Sequence, residues 1–567
     1  MGQRHNGSWA APDNRPMFLK AGALSLALLL ASRLLGLLRE SALASAFGVS
    51  GLGDVAVLML TLPDWLTGVL ASGALAYVLL PHWAQQSLPH QEWVQRRVAS
   101  GLLGLGLLLA AGLVLGRAAV VQSLLPGLGL ALWPPAECAM VWAAAGLPGA
   151  LLAALWVTRL QHERDFAGMY GASLVVNAVL ITALWGMAWV GTTDAAVTLL
   201  GIALGLAMVI RLLWLARRLR RGRRFQSNAQ PDAHPGAQPD AGNRGTPQGD
   251  GAAQLPAISL WVWAALSAGL PLLLPFVART LASGAGEGAL AAFNYAWKLV
   301  ELPLMLAVQL VATLAFPAIT RALTGGPLGM PGASGEVEGE REASRPELPP
   351  KMTPEAVRVI RQALALAWTL ACAATLALQV GATAIADLLF GWGRMDAAAL
   401  SQVAEWGRVG AWGLLPQALI AVAVTVLAAL GRMRMVVLAY GLALAALLGL
   451  GTLGGQGLGG AALMAILNTV LTGVALALLV VLWRYRALVT TGRVDEPRFT
   501  PHRLLPWQAM AVPGLLLAVG SVVIRVSGLE VHGQKGTLPL ILSCFSAIFI
   551  IAIAVKTCPE VRQALRR

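Results

Sequence analysis

The chain alternates between long apolar runs and shorter polar segments. A transmembrane helix needs about 20 consecutive, mostly apolar residues, and fourteen runs of this 567-residue chain fit that requirement. The pattern predicts an all-α polytopic membrane protein with about 14 transmembrane helices. The predicted spans are 19–43, 55–80, 98–116, 138–158, 168–190, 195–216, 258–281, 290–318, 363–385, 404–430, 434–452, 459–483, 505–525 and 537–555.

Two polar segments interrupt the series of apolar runs. Residues 225–256 are rich in Pro, Gly, Gln and Asp, a composition that predicts a disordered linker, and residues 325–352 form a second polar loop. The linker separates an N-terminal lobe of six spans (1–224) from a C-terminal lobe of six spans (257–486). Two further spans and a basic tail follow at 487–567.

Basic residues concentrate in alternate loops, including the run ARRLRRGRR at 216–224. Loops that carry an excess of Lys and Arg face the cytoplasm. We therefore expect both termini, the linker and the 325–352 loop to be cytoplasmic in a bacterial inner membrane. The 216–224 run is expected to mark this topology, and binding of anionic lipid head groups is the alternative.

Composition excludes several other classes. The chain is 57% hydrophobic and 12% charged, whereas soluble proteins are about 25% charged. The net charge of +14 lies in the loops between spans, so it does not indicate nucleic acid binding. The four cysteines and seven histidines show no metal-ligand spacing. No phosphate-binding G-x-x-x-x-G-K-[ST] motif is present, so we expect a transporter that is neither an enzyme nor driven by its own ATP hydrolysis.

The first two spans carry charges where a membrane helix normally has none. Arg33, Arg39 and Glu40 lie in or at the end of the first apolar run, and Asp54 and Asp64 lie in the second. A charge at bilayer depth costs about 2.5–3.5 kcal/mol, so it persists where it faces a wet cavity or a partner. The mixture of signs predicts a polar cavity lining.

The same stretch, residues 31–81, resembles the opening of a known family. The residues that carry the resemblance are Ser32, Arg33, Leu35, Gly36, Arg39, Phe47, Gly48, Asp54, Leu62, Pro63, Leu66, Gly73, Ala74, Ala76 and Pro81. In this order and spacing they are similar to the MurJ/MviN family of lipid II flippases, in the MOP exporter superfamily. The resemblance implies two six-helix lobes related by pseudo-two-fold symmetry plus two C-terminal helices. It also implies transport of a lipid-linked peptidoglycan precursor from the cytoplasmic to the periplasmic leaflet by alternating access.

A weak internal repeat agrees with two related lobes. Arg39 precedes Pro63 by 24 residues, and Arg279 precedes Pro303 by the same number. Each proline also follows a leucine. Transporters built from parallel repeats place their substrate sites between the two halves. The repeat therefore predicts a site at the lobe interface. Arg279 itself is expected to extend outward at the end of its span.

The eighth span carries a second charged group. Lys298 and Glu301 lie three residues apart, where side chains on a helix can pair. One interpretation is an intrahelical ion pair without a role in binding, and the other is a cavity cation that faces Arg33 and Arg39. The resemblance favours the second, because family members have a basic residue, an acid and a proline here.

These observations define the predicted site. Arginine binds phosphate oxygens through charge-assisted hydrogen bonds, and a lipid-linked sugar pyrophosphate is anionic. The predicted substrate-binding residues are Arg33, Arg39, Asp54, Lys298 and Glu301, and the predicted hinges are Pro63, Gly73 and Pro303. We expect no metal and no cofactor, with the membrane potential or a coupling ion as energy source. Expected partners are a polyprenyl-pyrophosphate-linked saccharide (lipid II), membrane lipids and cell-wall synthesis enzymes, and the chain is expected to be a monomer.

Three positions depart from the family pattern. Thr67 and Gly68 stand where family members often have a basic pair, and Ser72 stands where an acid is common. The departures leave several alternatives open: export of another undecaprenyl-pyrophosphate-linked glycan, a non-transporting cell-envelope scaffold or a membrane glycosyltransferase or ligase.

Overall fold

The computed structural model describes residues 15–190, 195–228, 255–308, 311, 315, 318–319, 354–454, 458–489, 505–527 and 537–566. Within these residues the regular structure is helical. The helices are α1 (Arg15–Phe47), α2 (Gly51–Thr67), α3 (Gly73–Ala84), α4 (Leu88–Leu115), α5 (Arg117–Leu124), α6 (Trp133–His162), α7 (Phe166–Val190), α8 (Ala196–Asn228), α9 (Ile258–Ser283), α10 (Ala289–Pro303), α11 (Pro354–Phe390), α12 (Ala397–Ala411), α13 (Leu414–Ala429), α14 (Met433–Leu453), α15 (Gly460–Val489), α16 (Trp507–Ser527), α17 (Thr537–Thr557) and α18 (Pro559–Leu565).

The length and apolarity of these helices confirm an all-α polytopic membrane protein. Among the described residues, eleven helices are long and apolar enough to cross a membrane. The number is twelve if α12 and α13, which are bent by 48°, form one broken span. The first and eighth predicted spans are the two without a counterpart in this count, so the number fourteen remains a prediction.

The helices pack in three groups along the chain. In the first, α1 packs on α7, α4 on α6, and both α6 and α7 on α8. In the second, α9 packs on α14, α11 on α12 and α13, and α13 on α15. Helices α16 and α17 pack on α11. Ser543 of α17 sits against Gly381 and donates a 2.9 Å hydrogen bond to the Ala377 carbonyl, a close approach that small residues allow in membrane interfaces.

The polar segments are described only at their edges. Helix α8 continues to Asn228, so the first residues of the predicted 225–256 linker are helical. Residues 229–254 and the predicted loop 325–352 lie outside the described residues.

Two spans change their helical winding next to a proline. After Pro63, residues Gly68–Ser72 form a π-helical segment between α2 and α3. Pro303 ends α10 and is followed by a second π-helical segment, Leu304–Val308. In the first case Thr67 Oγ1 donates to the Pro63 carbonyl at 2.7 Å. Such segments replace the regular backbone hydrogen bonds and bend or widen a helix.

The two lobes are joined at one end of the bundle, which we call the closed side. Here the Arg394 N–H donates to the Ser45 carbonyl at 3.0 Å, and the Gly129 N–H donates to Glu287 Oε1 at 3.1 Å. The neighbouring loops turn through Gly48 (φ 64°) and Gly288 (φ 83°), in the left-handed region that favours glycine. The opposite end carries the basic loops and is called the basic side; it is the side predicted to be cytoplasmic.

Candidate functional site: a charged cavity between the lobes

A cavity of about 840 Å³ lies between the two lobes. Its walls come from α1 and α2 of the first lobe and from α9, α10 and α13 to α15 of the second. A smaller pocket of about 290 Å³ adjoins it and reaches α7 and α8. The two share Arg39, Asp64, Lys298, Glu301 and Met305, so they form one continuous site.

The lining of this site is charged and carries an excess of cations. The cationic side chains are Arg33, Arg39, Arg211, Arg279 and Lys298, and the acidic ones are Glu40, Asp64 and Glu301. The described lining therefore has a formal net charge of +2. At membrane depth this excess favours an anionic ligand over a cationic one.

Two of the cations are paired with the acids. Arg39 Nη2 donates to Glu40 Oε1 at 2.8 Å, and Arg39 Nη1 lies 3.6 Å from Asp64 Oδ2. Lys298 Nζ lies 2.7 Å from Glu301 Oε2. Both interpretations of Lys298 and Glu301 thus apply at once, because the pair is intrahelical and also lines the cavity.

The other three cations have no such partner. Arg33, Arg211 and Arg279 form no ion pair with a described acid, and the Nε atoms of Arg211 and Arg279 are buried without a hydrogen-bond partner. The expectation that Arg279 extends outward is wrong, since its side chain lines the cavity. The reason is that α9 turns this position toward the lobe interface and the cavity.

Asp54 lies outside the cavity and contacts none of its described cations. Its side chain is buried on the closed side, where Oδ2 accepts the Gly288 N–H and Oδ1 accepts the Ala291 N–H, both at 2.7 Å. The first amide groups of a helix have no partner within the helix, so they attract a carboxylate. Asp54 therefore caps α10 of the opposite lobe, and Glu40 and Asp64 are the acids that hold Arg39.

Aromatic side chains form part of the apolar wall. Trp65 of the first lobe stacks on Phe276 of the second, with ring centroids 4.5 Å apart and planes inclined by 13°. Trp297 and Tyr440 line the same cavity. Flat aromatic faces of this kind offer apolar contact area at low entropic cost, next to the charged groups.

Two of the three positions that depart from the family pattern do not line the cavity. Neither Thr67 nor Gly68 lines the cavity or the adjoining pocket. A Cβ atom at Gly68 would lie 3.0 Å from Leu272 Cδ1, so α9 fills that space. Ser72 ends the first π-helical segment.

The predicted hinge residues all lie at the irregular segments. Pro63 precedes the first π-helical segment, Gly73 begins α3 directly after it, and Pro303 precedes the second. These placements agree with a bending role, which stays a prediction.

Sequence reasoning missed two residues of the site. Arg211 is the lone charge in the run AVTLLGIALGLAMVIRLLWLA, a signal as strong as that of Arg33. Asn294 is fully buried and donates through Nδ2 to Glu40 Oε2 at 2.9 Å. Nothing in the local sequence pattern shows that Asn294 donates to Glu40 of the other lobe, because the two residues are far apart in the chain.

No group of three or more His, Cys, Asp or Glu side chains in the described part of the chain is placed to hold a metal ion. The charged groups in the cavity are instead arranged as separate pairs and single cations. Ionic contacts with a ligand are therefore the chemistry that these residues offer.

Comparison with known proteins agrees with this architecture. The family model of the lipid II flippase MurJ matches residues 43–495. No curated protein matches the chain by sequence. A solved structure of the lipid II flippase MurJ in an inward closed conformation superposes with a TM-score of 0.70 at 13% identity, covering 94% of this chain and 99% of that one.

Two further transporter structures share the fold more distantly. An inward-facing multidrug resistance MATE family transporter of the MOP superfamily has a TM-score of 0.57 at 15% identity, covering 83% of this chain and all of that one. A MOP superfamily transporter from Pyrococcus furiosus has a TM-score of 0.52 at 14% identity, covering 83% and 96%. Because the family model covers most of the chain, the protein belongs to the MurJ lipid II flippase family, whose members are multi-pass inner-membrane transporters and not enzymes.

Proposed function

We propose that this chain moves lipid II from the cytoplasmic to the periplasmic leaflet, and that the cations of the central cavity bind its pyrophosphate. The observation that carries the proposal is the charge of the lining. Five cations face three acids between two lobes of a membrane protein, and three arginines have no described acidic partner. Guanidinium groups bind phosphate oxygens with two parallel hydrogen bonds.

The ion pairs neutralise part of the positive charge of the site. Arg39 and Lys298 are held by Glu40, Asp64 and Glu301 when no ligand is bound. A pyrophosphate competes with these carboxylates for the same donors. Arg33, Arg211 and Arg279 add attraction that the acids do not cancel. Of the five predicted binding residues, Arg33, Arg39, Lys298 and Glu301 keep that role in the proposal, whereas the fifth, Asp54, is proposed to act at the lobe contact.

The closed side supports transport by alternating access. The contacts of Asp54, Arg394 and Glu287 join the lobes at one end of the cavity. We infer that the basic side, with both termini, is cytoplasmic and that this state takes up substrate from there. Breaking the contacts on the closed side would then release it to the periplasm.

Other parts of the proposal concern energy and partners. We propose that the membrane potential or a coupling ion drives the cycle, without a bound cofactor. Enzymes that consume the precursor at the outer leaflet would keep transport directed, and cell-wall synthesis enzymes are the expected neighbours. The chain is proposed to act as a monomer, since the cavity lies within one chain.

The test is complementation of a bacterial strain in which the resident lipid II flippase is depleted. The wild-type chain is compared with Arg279→Gln and with Arg117→Gln at matched abundance. Arg117 pairs with Glu137 at 2.9 Å outside the cavity and is the matched control. The second readout is the fraction of lipid-linked precursor that an added enzyme reaches from outside the spheroplast.

Rescue by the wild type and by Arg117→Gln, with loss in Arg279→Gln, supports the proposal. Rescue by the wild type and by both variants contradicts the role of the cavity cation. Failure of the well-expressed wild type, with no outer-leaflet precursor, contradicts lipid II transport and favours another lipid-linked glycan.

A further inference from the structure

The adjoining pocket contains a pair of cations to which the proposed function gives a general attraction for the substrate but no particular group to bind. Arg33 of α1 and Arg211 of α8 both line this pocket, together with the neutral polar side chains of Ser32, Ser173 and Asn177. Neither arginine forms an ion pair with a described acid. The buried Nε of Arg211 also has no hydrogen-bond partner.

The two arginines lie at a similar depth. With a rise of 1.5 Å per residue, Arg33 is about 21 Å from the closed-side end of α1, and Arg211 about 22 Å from the closed-side start of α8. Arg279 is only about 6 Å from the closed-side end of α9, and Lys298 about 14 Å from the start of α10. The cations therefore form two levels, with Arg33 and Arg211 nearer the basic side.

A lone guanidinium at this depth needs a reason to persist. Burial without a hydrogen-bond partner is costly for a charged group, and intramembrane cations normally pair or face water and ligand. The acids that the pocket also contains, Asp64 and Glu301, are engaged by Arg39 and Lys298. Asp64 also attracts Arg211, and Arg33 is exposed, so the pocket keeps an excess of positive charge that an anion outside the protein can neutralise.

We propose that Arg211, together with Arg33, forms a second anion subsite that binds an anionic oxygen group of the transported lipid. This inference rests on the proposed function and adds a specificity-determining residue to it. By the same rise, Arg33 lies about 7 Å from the level of Lys298 and about 15 Å from the level of Arg279, so one pyrophosphate does not span from Arg279 to Arg33 and Arg211. The group at the second level is therefore either a carboxylate of the precursor's peptide or the pyrophosphate at an earlier stage of its path. Both present the same chemistry to the guanidinium groups.

The test measures binding of purified lipid II to the full-length protein in lipid nanodiscs. The variants are Arg211→Gln, Arg211→Lys and the control Arg217→Gln, which removes an exposed arginine of the same helix that lines neither compartment. Each is titrated with intact lipid II and with lipid II whose peptide carboxylates are amidated. Thermal unfolding of each variant checks that the fold is intact.

Loss of one charge-assisted contact predicts about 10- to 100-fold weaker binding of intact lipid II by Arg211→Gln. Arg211→Lys keeps the charge and is expected to lose less, and Arg217→Gln is expected to bind like the wild type. If amidation abolishes the difference between wild type and Arg211→Gln, the group is a peptide carboxylate. If the difference persists, the group is the pyrophosphate.

Equal binding of both lipids by wild type and a folded Arg211→Gln overturns the inference. If Arg211→Gln does not fold, Arg211→Lys is the deciding variant. Wild-type affinity of Arg211→Lys for both lipids then counts against the subsite, because lysine keeps the charge but not the forked donors of arginine. Failure of the proposed function looks different, because then wild type binds neither lipid and Arg279→Gln changes nothing.

Discussion

The two lobes repeat a backbone plan but carry different side chains on it. An offset of 240 residues pairs Arg39 with Arg279, Gly48 with Gly288 and Pro63 with Pro303. Both arginines line the cavity, both glycines have positive φ, and both prolines precede a π-helical segment. The repeated features are those that shape the chain.

The features that differ are those that carry charge. The same offset pairs Asp54 with Asn294, Leu58 with Lys298, and Thr61 with Glu301. Asp54 caps the opposite lobe's α10, whereas Asn294 donates to Glu40 beside the cavity. The difference teaches that the scaffold is symmetric, while equivalent positions do different work: Asp54 holds the closed side together, and Asn294 supports a charged group of the cavity.

The largest effect is expected from Asp54→Ala, which removes the carboxylate that accepts the Gly288 and Ala291 N–H groups of the other lobe. Two charge-assisted hydrogen bonds are lost, each worth about 1.5–3 kcal/mol, so the closed state should become at least tenfold less populated. Pairs of spin labels at the exposed positions Leu130 and Trp392, in a cysteine-free background, report the width of the closed side.

Asp396→Ala is the matched control for Asp54→Ala. Asp396 also caps a helix on the closed side, accepting the Ala399 N–H at 2.7 Å, but within its own lobe. We expect label distances to lengthen in Asp54→Ala and not in Asp396→Ala. Unchanged distances and transport in Asp54→Ala would show that the cap does not hold the lobes together.

The next largest effect is expected when the second lobe is made like the first by Asn294→Asp. The new carboxylate cannot donate to Glu40 and lies within hydrogen-bond distance of it. Loss of a buried bond to a charged group costs about 1.5–3 kcal/mol, with repulsion in addition. Thermal unfolding of the purified variant should fall, and transport should fall with it. Asn294→Gln tests for size alone, and equal stability of Asn294→Asp and wild type would contradict the role of this donor.

Much of this architecture could be predicted from the sequence. The apolar runs predicted the helices, because a helix that crosses a membrane needs a minimum apolar length. The free-energy cost of a charge inside a span predicted that Arg33, Arg39 and Lys298 line a cavity. The partner of Asp54 could not be predicted, because its hydrogen bond to Gly288 joins residues 234 positions apart. Arg279 shows the same limit, since distance from a span end does not reveal whether the side chain faces membrane or cavity.

A smaller effect is expected from the repeated prolines. Pro63→Ala and Pro303→Ala restore a backbone donor and lower the preference for bending. We expect thermal stability to rise slightly, by about 1 kcal/mol or less, and the transport rate to fall because conformational exchange slows. Pro513→Ala, inside α16 and away from the cavity, is the control. Faster transport in both Pro63→Ala and Pro303→Ala would contradict a hinge role.

The smallest effect is expected outside the membrane, where the first lobe fixes its α6–α7 loop. Asp165 accepts hydrogen bonds from Arg218 Nε at 2.8 Å and from the Gly168 N–H at 2.9 Å. Partial burial raises the pKa of Asp165, but the hydrogen bonds and charge of Arg218 outweigh it and hold that pKa below its ordinary value. The stabilisation is therefore present at neutral pH and is lost as pH falls through the lowered pKa, below about pH 4. Because the pair is partly exposed, its contribution should be under about 1 kcal/mol.

Thermal unfolding of wild type and Asp165→Asn should differ slightly at pH 7, and the difference should vanish in acid. Asp396→Asn, at a helix cap for which no ion pair is described, is the control for loss of a capping carboxylate alone. A difference that grows as the pH falls would contradict the assignment and leave the loop held by its backbone alone.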